Sequence, residues 1–111
     1  MQSGTDMRIP VVFGGQARPD EAVLVEDGQN MPAQGYALRF SRGLPGHALG
    51  CACCTLRGPA ADALGKLFRE RATGAAPFFK QVRVLASAAG EAMVRDAIAE
   101  DIVTRARYHA D

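Results

Sequence analysis

Gly58-Pro59-Ala60-Ala61-Asp62-Ala63-Leu64-Gly65-Lys66-Leu67-Phe68-Arg69-Glu70-Arg71-Ala72-Thr73-Gly74, followed by Val82-Arg83-Val84-Leu85, decides the fold. Pro59 suits a first helical turn, where its missing N–H costs nothing. Ala60, Leu64, Leu67 and Phe68 fall on one apolar face at helical spacing. Gly74 closes the helix and Pro77 stands just beyond it. The apolar residues of Val82-Arg83-Val84-Leu85 then predict a strand within Lys80 to Ala86. Before the helix, Tyr36-Ala37-Leu38-Arg39-Phe40 alternates apolar and polar partners and predicts a half-exposed strand. Strand, helix, strand at these lengths makes a right-handed parallel crossover.

Further out, Ile9-Pro10-Val11-Val12-Phe13 and Ala22-Val23-Leu24-Val25 read as two short buried strands, each stopped by glycine-containing turns. Gln16 to Glu21 is too short for the usual parallel crossover of a dozen or more residues. Two arrangements therefore stay open: antiparallel pairing of these strands, or the first strand at a sheet edge. Past Ser87 the chain predicts a second helix starting at Gly90 or Glu91. Met93, Val94, Ala97, Ile98 and Ile102 form its apolar stripe, with Arg95, Asp96, Glu100 and Arg105 on the polar side. The expected class is α/β: a small, mostly parallel sheet of about four strands with two helices. Residues 1–8 read as a flexible tail and 9–111 as a single domain.

The composition restricts what such a domain does. Thirteen Lys+Arg against twelve Asp+Glu leave a net charge of +1, so phosphate-driven binding of nucleic acid is not expected. The absence of Trp and the presence of only two Tyr and five Phe disfavour a base-stacking platform. The longest apolar runs are far short of a membrane span, and no signal-peptide pattern opens the chain. These features predict a cytoplasmic protein that engages neither nucleic acid nor membrane.

Three cysteines lie within four residues, Cys51-Ala52-Cys53-Cys54. An odd count does not close into an internal disulfide framework. A single cysteine ordinarily packs as a small hydrophobe. Three together, flanked by Gly50 and Arg57 rather than by an apolar run, suggest soft-metal ligation or redox chemistry. In a continuous strand Cys54 would face away from Cys51 and Cys53. In a turn entering a helix all three can converge, and the downstream helix N-terminus with Arg57 favours the thiolate form. A closed tetrahedral site needs a fourth ligand; His47 is the nearest candidate, with a ligand from another chain as the alternative. Glu26-Asp27 reads as a solvated turn, and Arg105, Arg107 and His109 as a solvated helix end.

Gly50-Cys51-Ala52-Cys53-Cys54-Thr55-Leu56-Arg57 resembles the Gly-Cys-x-Cys-Cys-Thr-x-Arg segment of the CobW family, P-loop GTPases of metal homeostasis. Weaker similarity runs through Arg8 to Val12, through Ser87-Ala88-Ala89-Gly90 in place of a Glu-Thr-Thr-Gly segment, and through Arg105 to Asp111. The resemblance implies a reduced P-loop-GTPase-like domain. It also implies a thiolate site at Cys51, Cys53 and Cys54 that holds zinc, cobalt or a similar ion and delivers it to a protein partner. The nucleotide machinery does not carry over. Gly14-Gly15-Gln16 lacks the Lys and hydroxyl of a P-loop, and Gly65-Lys66 is followed by Leu67 inside a helix. Ser87 replaces the family's Glu, and no Asn-Lys-x-Asp segment is present. The expectation is a zinc-binding protein without GTPase activity. The other expectation is a non-catalytic homo-oligomeric interaction module that retains vestigial cysteines. A thiol redox or sensor role for the cysteines is the third possibility.

Overall fold

A computed structural model describes residues 7–41 and 58–110. Its elements are β1 (Ile9–Phe13), β2 (Ala22–Glu26), β3 (Tyr36–Phe40), α1 (Gly58–Thr73), β4 (Val82–Leu85), α2 (Ala88–Glu100), α3 (Ile102–Arg107) and β5 (Tyr108–Ala110). The five strands form one sheet in the order β3-β2-β4-β1-β5. Every pairing is parallel. The class is the α/β one expected, with one more strand and one more helix among the described residues than the sequence suggested.

The first two strands follow neither arrangement that their short connection suggested. Val11 of β1 and Ala22 of β2 both pair with Val82, so β4 separates them and all three run parallel. β1 is an interior strand, flanked by β4 and β5. The connection from Gly14 to Glu21 crosses two strand spacings, about 10 Å, and steps back about 7 Å along the sheet. Eight extended residues reach well beyond that. The dozen-residue expectation applies to a crossover that contains a helix, and this one contains none.

Strand alternation divides the sheet into two unlike faces. Ala22, Leu24, Val82 and Val84 point to one side and join Ala60, Leu64, Leu67, Val94 and Ile98 of the helices in the main core. Val23 and Val25 point to the other and pack with Ala17 of the β1–β2 connection. Helices thus cover one face, while the connecting loop covers the middle of the other. Parallel sheets ordinarily have both faces covered, and here the loop provides part of that cover.

Glu21 fixes the loop. Its carboxylate accepts from Arg83 Nε at 2.8 Å, Arg83 Nη2 at 3.0 Å and the Arg18 N–H at 3.0 Å, and also from Gln81. Arg83 Nη1 donates to the Gly14 carbonyl at the loop's other end. Gly15, at φ 81°, takes a conformation that favours glycine, and a Cβ there would lie 2.9 Å from Arg83 Nη1, so the guanidinium would have to shift.

The C-terminal region departs from one continuous helix. Asp101 leaves helical geometry at φ −79°, ψ 119° and caps both neighbours. Its N–H donates to Ala97 O at the end of α2, and its side chain accepts from the Thr104 N–H at the start of α3. The break takes Ile102 off the predicted core stripe, leaving it 76% exposed, and Thr104 is buried instead. The chain then enters β5. Tyr108 is fully buried, and its hydroxyl donates to Leu64 O at 2.8 Å, joining β5 to α1. Among the described residues no helix is long and apolar enough to cross a membrane.

Candidate functional site

In a parallel sheet all strand carboxyl ends share one edge, where open α/β sheets place their binding sites. β3 ends there at Phe40, which is buried, and α1 starts at Gly58. The chain between these elements carries His47, Cys51, Cys53 and Cys54, all of which lie outside the described residues. Gly58 has φ 85°, a conformation that favours glycine. No acidic residue occupies the first turn of α1, so no carboxylate there offsets the partial positive charge of the helix N-terminus. That field favours a nearby thiolate over a thiol. Among the described residues no group of three or more His, Cys, Asp or Glu side chains is arranged to hold a metal ion.

A groove of about 660 Å³ opens beside Gly58, between the start of α1 and one side of α2. It is lined by small residues such as Ala60, Ala89 and Ala92 and by Asp96, Glu100 and Asp101. Met93 also lines it and packs partly against the core, as its place in the helical stripe implied.

The start of α2 holds an arrangement not foreseen from the sequence. Glu26, expected in a solvated turn, is only 5% exposed. Its Oε1 accepts from the Ser87 N–H and from Ser87 Oγ, both at 2.8 Å. Ser87 is the N-cap of α2, and its Oγ in turn accepts from the Gly90 N–H at 3.1 Å. A Cβ on Gly90 would lie 2.6 Å from Glu26 Oε1. The chain's own carboxylate thus meets the positive end of α2. Ser87 acts here as a helix cap and as Glu26's partner. The sequence signal for this was slight: a capping residue three positions before a glycine, with nothing to point to position 26.

The glycines after β1 make a turn rather than a lead into a helix. Gly14 has φ 74° and donates its N–H to Val84 O at 2.8 Å. Gly65 and Lys66 lie inside α1, where Gly65 is buried and Lys66 pairs with Glu70 at 4.0 Å. Arg105 and Arg107 occupy the last turn of α3, but His109 belongs to β5 and not to a helix end. Arg107 lies 4.2 Å over the Phe68 ring. His109 sits on the edge strand opposite β3, four strand spacings or about 19 Å across the sheet.

Burial by itself would raise the pKa of the Glu21 carboxyl. The hydrogen bonds from Arg83, the Arg18 N–H and Gln81, together with the Arg83 charge, outweigh burial and hold it below its ordinary value. The hydrogen bond to Glu21 pushes the Arg83 guanidinium upward. The pair is therefore ionised at neutral pH and holds the loop in place. No family model, curated protein or solved structure matches the chain.

Proposed function

We propose that this protein binds a thiophilic metal ion, zinc foremost, through Cys51, Cys53 and Cys54, and acts in metal homeostasis or trafficking as a CobW-like protein without GTPase activity. One observation carries the reading. The Cys-x-Cys-Cys cluster falls in the sequence between Phe40, the end of β3 at the carboxyl edge of a parallel sheet, and Gly58, the N-terminus of α1. Soft thiolates select zinc or copper(I), and both the edge and the helix end suit a ligand site. His47 is the candidate fourth ligand. If three thiolates bind alone, the open position lets a receiving protein take the ion by ligand exchange. Free thiols in this role suit a reducing, cytoplasmic compartment.

The test is native mass spectrometry of anaerobically purified protein supplied with Zn²⁺, beside a Cys51, Cys53 and Cys54 triple Cys→Ser variant. Added metal mass in the first and none in the second supports the reading. Equal loading of both refutes the cysteine site.

A second reading has an observation of its own. Among the described residues the sheet ends in β3 on one side and β5 on the other, and helices cover one face. Homo-oligomerisation through such an edge would satisfy its unpaired backbone groups. In that case the cysteines are vestigial and the protein is a non-catalytic interaction module. Light scattering that gives a multimer mass for both wild type and the triple variant, with no metal bound, favours it.

A further inference from the structure

We draw no further inference here: the strongest candidate, the groove between the start of α1 and α2 with its lining of small residues and of Asp96, Glu100 and Asp101, carries nothing because no feature of the structure shows what covers it.

Discussion

Replacing Glu21 with Gln tests whether the β1–β2 loop depends on one carboxylate. The Glu21 side chain is 2% exposed and that of Arg83 13%, so the substitution leaves a largely buried guanidinium without its counter-charge. Breaking a buried pair from one side costs about 3–5 kcal/mol. Gln retains the shape and one accepting oxygen, which places the expected loss near the lower end, about 3 kcal/mol. For a domain of this size, with a urea m-value of about 1.5 kcal/mol/M, the unfolding midpoint should fall by about 2 M. The loss should also depend on pH. The folded-state pKa of Glu21 lies below its ordinary value of 4.5. Its contribution is therefore complete above that value and is lost as pH falls through the depressed folded pKa. The gap between wild type and Glu21→Gln should narrow over that acid range. Urea titrations at pH 7 and at several acid pH values read both effects. Adding Arg83→Met to the Gln variant should recover part of the loss, because the orphaned charge is gone. Hydrogen exchange should quicken at the amides of Gly14 and Ala22, which bracket the loop. A midpoint unchanged at pH 7, or a gap that does not depend on pH, would sink the argument.

Four further outcomes are expected. The triple Cys→Ser variant at Cys51, Cys53 and Cys54 should lose metal binding, read by native mass spectrometry, and wild-type binding should weaken as acid protonates the thiolates. Tyr108→Phe should cost about 1 kcal/mol by removing the buried bond to Leu64 O. Because burial raises its pKa above the ordinary 10.0, wild-type stability should decline as pH climbs past that value, and denaturation curves of the Phe variant should show a shallower slope, the remainder coming from Tyr36, whose bond to Glu70 also raises its pKa. Gly90→Ala should destabilise by about 1–3 kcal/mol, since its Cβ would meet Glu26 Oε1 at 2.6 Å and Ala86 Cβ at 2.9 Å; a neutral calorimetric result would show that this corner yields easily. Asp101→Ala should cost about 1 kcal/mol by removing the cap of α3, with amide exchange rising at Thr104.

The cysteine cluster and its candidate ligand His47 were named from residue type and spacing alone, and all four residues lie outside the described ones. The buried polar corner of Glu26, Ser87 and Gly90 was not. A strand-end Glu followed by Asp and Gly has the pattern of an exposed turn, and only the arrival of α2 encloses it. Glu26 and Ser87 are 61 residues apart, and Glu21 and Arg83 are 62 apart. Local periodicity carries no information on partners so far away.

Local signals in the chain set the type and place of most elements. Alternation and apolar runs marked β1 to β4, and helical spacing between Pro59 and Gly74 marked α1, because these signals act within a few residues. They also set the α/β class, through a crossover long enough to contain a helix. Tertiary structure decided the strand order and the interior position of β1. It also decided the break at Asp101, which moves Ile102 out of the core and brings Tyr108 onto Leu64. These choices minimise exposed apolar surface and unpaired polar groups over the whole molecule. Which strand lies beside which, and which carboxylate meets which cation, is settled only when distant segments are brought together.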